Sequence, residues 1–209
     1  LNEYSGVSVT ADSRALVTVQ ASTVSGVWVA TLGERSSSST GPMPFLDDSK
    51  FKQIASEVGD IADFAWTPDG ALVYVSLASG MGNLWEMEAD GSNPKQLTTD
   101  AQAKQGISVS PDGRYIVFAS GRAGAINIWR TDSDGSNLNK LTDGDGEIYP
   151  HFSRDSRWVI FQRGYGLVTP TLWKVSIDGG KPVQLTDMRV QKPRVSPDGK
   201  LVAHYYLGP

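Results

Sequence analysis

Between Gly106 and Thr142 apolar and polar residues alternate in short runs broken by turn residues. GISVS enters an SPDG turn, RYIVFAS follows, GRAGA reverses the chain, INIWRTD runs back, DGSN turns again and LNKLT closes. Runs rich in β-branched and aromatic residues, each bounded by Gly, Asp, Asn or Ser, predict four short antiparallel strands joined by tight turns. No stretch carries the period of an amphipathic helix. In the SPDG turn, Pro presets φ for the second position, Asp can accept from nearby backbone, and Gly tolerates positive φ.

The same phrase recurs along the chain. TPDGALVYVS stands at 67–76 and SPDGKLVAHY at 196–205, with looser copies TADSRALVTV at 10–19 and SRDSRWVIFQ at 153–162. Their aspartates, Asp12, Asp69, Asp112, Asp155 and Asp198, are separated by 57, 43, 43 and 43 residues. Trp28, Trp85, Trp129 and Trp173 repeat at 57, 44 and 44. Two independent marks therefore share one period. The longer first interval falls across GERSSSSTGPMPFLDD, residues 33–48, a Ser/Pro/Gly-rich loop insertion in a regular unit. Where Gly of the turn is replaced, by Ser13 and Ser156, positive φ costs more than it does for glycine.

A four-stranded unit of this length, repeated around an axis, is the signature of an all-β propeller, because one such sheet has two apolar faces that only neighbouring sheets can cover. The predicted blades span about 4–58, 59–100, 101–143 and 144–187, and 188–209 supplies the first two strands of a fifth. These units form a single propeller segment. The phrases SPDG (110–113), IWRTDSDGS (128–136) and KLT (140–142), repeated in LWEMEADGSNPKQLT (84–98) and LWKVSIDGGKPVQLT (172–186), resemble the TolB-type or WD-like bacterial propeller repeats over essentially the whole chain. The first unit departs from the pattern, with TADS for the turn and no DGS hairpin. The resemblance implies a ring of six or more blades, so four and a half blades are expected to be completed by further sequence or by another copy.

Composition narrows the partners. A net charge of -4 argues against a phosphate-tracking surface, so nucleic acid is not an expected partner. The absence of cysteine excludes disulfides and thiolate metal sites, and fits cytoplasm and periplasm alike. No apolar run is long enough to span a bilayer, and residues 1–20 lack the basic and apolar regions of a signal peptide; any export signal is expected outside these residues.

Catalytic patterns are missing from the sequence: there is no G-x-S-x-G elbow, no phosphate-cradling loop and no H-E-x-x-H. His151 and His204 are the two histidines. DSDGSN (132–137) looks superficially like a calcium loop, but from Asp132 the glycine falls at position four and Asp143 stands at twelve, where an EF-hand needs Gly at six and Glu at twelve. DGDGE (143–147) is a second acidic, glycine-rich stretch, read as a weak cation site at most. No cofactor or metal is expected. The turn aspartates are read as backbone clasps and the four tryptophans as packing between blades, since a residue demanded in every repeat serves the repeat.

One register breaks the pattern. Four residues before each turn aspartate stand Ser8, Ala65, Ser108, His151 and Arg194. Small residues suit an innermost strand where blades converge, and His151 and Arg194 are exceptions in consecutive blades. With Tyr149 and Lys192 two residues earlier, they define a candidate polar, cationic lining near the channel mouth for an anionic side chain or a carboxylate terminus. The other reading is that both side chains only bond neighbouring carbonyls. The resemblance implies a non-catalytic protein-interaction or sensory module with a protein partner, outside the cytoplasm as in the periplasm. The alternatives are the gating propeller of a prolyl-oligopeptidase-type serine peptidase whose catalytic domain lies elsewhere, or a sugar or small-ligand binder.

Overall fold

The computed structural model describes residues 3–9, 15–21, 26–31, 51–55, 61–78, 80–164 and 169–206. Asp12, Ser13 and the insertion predicted at 33–48 lie outside the described residues.

All described secondary structure is β, and each sheet is an antiparallel meander in chain order. The first holds β1 (Glu3–Val9), β2 (Ala15–Ala21), β3 (Gly26–Thr31) and β4 (Phe51–Ala55). The second holds β5 (Ile61–Trp66), β6 (Leu72–Ser76), β7 (Asn83–Met87) and β8 (Lys95–Gln96). The third holds β9 (Ala103–Val109), β10 (Tyr115–Ala123), β11 (Ala125–Asp132) and β12 (Asn139–Lys140), and the fourth β13 (Glu147–Phe152), β14 (Trp158–Arg163), β15 (Thr171–Ser176) and β16 (Val183–Gln184). The last is a pair, β17 (Val190–Val195) with β18 (Val202–Tyr206). First strands of successive sheets touch one another, β1 to β5, β5 to β9, β9 to β13 and β13 to β17. They line the axis of a partial propeller.

The core lies between sheets. Val27, Phe64, Leu72 and Tyr74 join the first sheet to the second; Val73, Val75, Leu84, Ile116 and Phe118 join the second to the third; Val117, Ile128, Phe152 and Phe161 join the third to the fourth. Every residue of β6 is buried, because alternate side chains face sheets on both sides. Full burial of a ring such as Phe118 or Phe161 contributes about 2–3 kcal/mol. The tryptophans sit in these seams: Trp85, Trp129 and Trp173 each pack into the cluster shared with the preceding sheet, and Trp28 is half-buried on β3.

The repeated phrases become repeated bonds. Asp112 Oδ1 accepts from Ser110 Oγ (2.6 Å) and from the Arg114 N–H (3.2 Å), while Ser110 Oγ accepts from the Tyr115 N–H (2.9 Å). Asp155 and Asp198 make the same contacts with Ser153 and Arg157, and with Ser196 and Lys200. At the second sheet Thr67 Oγ1 instead donates to the Ala71 carbonyl (3.0 Å), and Asp69 is exposed in its turn. Ser156 occupies the turn's glycine position at φ 57°, and its Oγ accepts from the Asp112 N–H (3.2 Å) of the preceding sheet. The closing L-T has its own logic, since the Thr98 and Thr142 hydroxyls accept from the Leu84 and Ile128 N–H groups (2.9 and 3.0 Å).

Two features extend beyond the sequence expectation. The inner strand of the third sheet begins at Ala103 rather than Gly106, because it continues through a bulge. Every inner strand has such a register shift. The seam beyond the fourth sheet is also thin. Leu97 and Leu141 are 9% and 4% exposed, whereas the matching Leu185 is 42% exposed, and Leu201 and Tyr205 of the last pair are 70% and 66% exposed.

Candidate ligand-binding site at the propeller axis

The inner strands line an open cavity of about 800 Å³, formed by residues of β5, β9, β13 and β17 and by the turns that follow them. Its polar side chains arise from strand geometry. A strand exposes alternate residues to one side, so in β5, β9, β13 and β17 the position four before the turn aspartate faces the axis. Ala65 and Ser108 occupy it in the second and third sheets, His151 and Arg194 in the next two, and all four line the cavity. Ser108 also ties neighbours together, since its Oγ accepts from the Phe152 N–H (3.4 Å).

His151 is half-buried, and its Nδ1 lies 3.1 Å from the Phe152 carbonyl. Burial, aided by the nearby Arg194 charge, lowers its pKa to about 4 against the opposing effect of the Phe152 bond. The ring is neutral at pH 7, Nδ1 carries the proton toward the carbonyl, and Nε2 presents a lone pair. His151 is therefore an acceptor and supplies no positive charge, so the cationic lining expected from the sequence reduces to Arg194 and Lys192. Arg194 is exposed and donates from Nη1 to the Pro193 carbonyl (3.0 Å). Each side chain thus bonds one adjacent carbonyl. The remaining guanidinium N–H groups of Arg194 and Nε2 of His151 find no partner among the described residues.

Tyr149 and Lys192 stand at the bulges, at φ 55° and 50°. Gly106 takes the equivalent place at φ 78°, and a Cβ there would meet the Tyr149 Cα at 2.5 Å, so the bulges stack tightly around the axis. Lys192 Nζ lies 5.7 Å from the centre of the Tyr149 ring, a cation–π contact that joins the two residues. They form a rim beside the His151 and Arg194 level and are not among the residues lining the cavity itself.

Sequence reasoning passed over Asp63. It lines the cavity; its Oδ1 accepts from the Phe64 N–H (2.9 Å) and its Oδ2 from the Ile107 N–H (3.2 Å) of the next inner strand. Burial pushes its carboxyl above the usual range, against the pull of these bonds and of Arg194. The available signal was its register, six before Asp69, where Gly106, Tyr149 and Lys192 stand in later repeats.

The acidic DGDGE stretch has a different use. Glu147 is fully buried, and its carboxylate accepts from Arg163 Nε and Nη2 (2.9 and 2.5 Å), from Asn127 Nδ2 (3.1 Å) and from Thr142 Oγ1. Its charge is taken up by a lock between the third and fourth sheets. No group of three or more His, Cys, Asp or Glu residues poised for a metal occurs among the described residues. No helix among them is long and apolar enough to cross a membrane.

A family model described as TolB beta propeller domain matches residues 43–198. The chain belongs to that family. An uncharacterized protein of Agrobacterium fabrum is 30% identical over 166 residues, covering 77% of this chain and 54% of that protein. This TolB-type chain thus spans about half the length of the curated relative it matches. Among solved structures it superposes on TolB from Acinetobacter baumannii with TM-score 0.76 at 19% identity, over 96% of this chain and 48% of that one. For a putative TolB from Agrobacterium tumefaciens the values are 0.74 and 23%, over 95% and 73%. A puromycin hydrolase structure gives 0.64 at 15% identity, over 97% of this chain and 33% of that chain. At these identities the superpositions show the shared propeller fold.

Proposed function

We propose that this TolB-type segment is a non-catalytic interaction module that captures an anionic element of a protein partner at the axial cavity. The observation that supports this most directly is the set of unpartnered polar groups aimed into one cavity: the guanidinium N–H groups of Arg194 and the Nε2 lone pair of His151. Arg194 can bind a carboxylate through two parallel N–H bonds, and His151 Nε2 can accept from an adjacent N–H of the same guest. Lys192 on the Tyr149 ring adds a second cation at the rim. The family resemblance favours a location outside the cytoplasm, and the cysteine-free composition is compatible with it.

The ring is completed by further blades, from the same polypeptide or from another copy. The exposed Leu185 favours this, because the equivalent Leu97 and Leu141 in earlier sheets are covered by the sheet that follows. A second reading is favoured by the fold shared with puromycin hydrolase and with a prolyl endopeptidase, each matched over about a third of its length. In it the segment gates a hydrolase domain encoded elsewhere in the polypeptide, and a G-x-S-x-G elbow in the flanking gene would decide for it.

The test is partner capture by the wild type and by the Arg194→Ala, His151→Ala double variant, immobilised and compared by quantitative mass spectrometry. Loss of one reproducible protein partner from the variant is the expected outcome. Equal recovery of every captured protein overturns the axial reading.

A further inference from the structure

Asp63 is the carboxylate that sequence reasoning left without a role. It lines the same cavity as His151 and Arg194, and both of its oxygens are held in place by backbone N–H groups, of Phe64 at 2.9 Å and of Ile107 at 3.2 Å. The side chain therefore cannot swing away from the axis without leaving an inner-strand N–H of the next sheet unpaired. Arg194 is near enough for its charge to act on Asp63, and the same charge acts on His151, so the three groups form one electrostatic unit contributed by three sheets.

We propose that Asp63 is a specificity determinant of the axial cavity: its fixed carboxylate competes with an anionic guest for the Arg194 guanidinium, and protonation of that carboxylate admits the guest. The proposal rests on reading the cavity as the partner site. Among the described residues, the titratable and charged groups lining the cavity are Asp63, His151 and Arg194, with Asp112, Arg154 and Asp155 toward the turns. Asp112 and Asp155 are held below the usual carboxylate range by their turn hydrogen bonds, and His151 stays neutral down to about pH 4. Asp63 moves the other way because of burial, so it is the lining carboxylate that takes up its proton at the highest pH.

The consequence is selective. A guest carrying a fixed negative charge meets two opposed charges at neutral pH and one unopposed guanidinium in acid. A neutral guest that uses only His151 Nε2 is insensitive to the change. The cavity thereby discriminates by charge and by pH, a property that Arg194 alone would not give.

Two readouts on the whole chain test this. The first needs no ligand: the Asp63 carboxyl carbon is titrated by NMR in the wild type and in Arg194→Met. The expected midpoint lies above the ordinary carboxylate range and rises further, by roughly half a pH unit or more, when the guanidinium is removed. A midpoint that does not respond to Arg194 overturns the proposal. The second uses inorganic sulfate, whose charge is constant over the range, with the Arg194 Nε–H resonance as reporter. Wild type is expected to bind sulfate about tenfold tighter once Asp63 is protonated than at pH 7, and Asp63→Asn to hold the tighter value at both. Sulfate affinities that are the same in Asp63→Asn and wild type at pH 7, including no binding in either, overturn the proposal; partner capture by the Arg194 and His151 variants is read separately. If Asp63→Asn does not fold, the Arg194→Met titration still decides.

Discussion

Replacing Glu147 with alanine is the sharpest test of how the sheets are held together. The carboxylate is fully buried where the third and fourth sheets meet, and it gathers donors from both: Asn127 and Thr142 from one, Arg163 from the other. Arg163 is committed to the spot by a second contact, its guanidinium lying 3.9 Å from the centre of the Trp173 ring. Its side chain is 25% exposed, so water compensates it poorly when its partner is gone. Removal of one member of a buried pair costs about 3–5 kcal/mol, because the remaining charge and hydrogen-bond groups stay buried. For a domain of this size that corresponds to a fall in Tm on the order of 10 °C. Glu147→Gln keeps the shape and loses the charge, and is expected to cost about half as much. Urea denaturation followed by tryptophan fluorescence measures both, since Trp173 reports from the seam itself. Glu147→Ala combined with Arg163→Ala should cost less than the sum of the single changes. A Glu147→Ala protein within 1 kcal/mol of wild type would refute the reasoning.

Acid should weaken the fold through His151. Its pKa falls from 6.5 to about 4 on folding, so the unfolded chain takes up a proton that the folded chain refuses; stability is complete above pH 6.5 and declines by about 2–3 kcal/mol as pH drops toward 4. Denaturation midpoints across that range should show the decline in wild type and a smaller one in His151→Gln. Ser156→Ala removes the bond to the Asp112 N–H while keeping the φ 57° conformation, at a cost of about 1 kcal/mol by chemical denaturation, whereas Ser156→Gly trades the bond for relief of strain and should stay within about 0.5 kcal/mol of wild type. Gly135→Ala should lower stability by about 2 kcal/mol or more, since φ is +88° and a Cβ would overlap the Leu97 carbonyl of the preceding sheet; no change in Tm would contradict that packing.

The sheets were legible because each repeat must satisfy the same constraints. Asp112, Asp155 and Asp198 recur since in these three turns one carboxylate collects the same two groups, and Thr98 and Thr142 recur since the third strands of the second and third sheets use the same hydroxyl partner. A period of 43 is the mark these needs leave. The lining of the candidate cavity was legible only where it broke that period, at His151 and Arg194. Asp63 escaped notice because one acidic residue in a strand looks like ordinary alternation, and only the fold brings it into one cavity with Arg194, about 130 residues away in the chain. The charge state of His151 was equally hidden, being set by burial. The bulges at Tyr149 and Lys192 carry no glycine or asparagine to announce positive φ, and Glu147 looks solvent-facing within DGDGE until Arg163 is placed against it.

Site-specific photo-crosslinking from position 151 tests the interaction at the axis most directly. A photoreactive amino acid placed at His151 in the full polypeptide, with a control at the exposed outer turn residue Asp178, should give one protein adduct from the axial position and none from the control. The same adducts from both positions, or none from position 151, would contradict a partner held in the cavity.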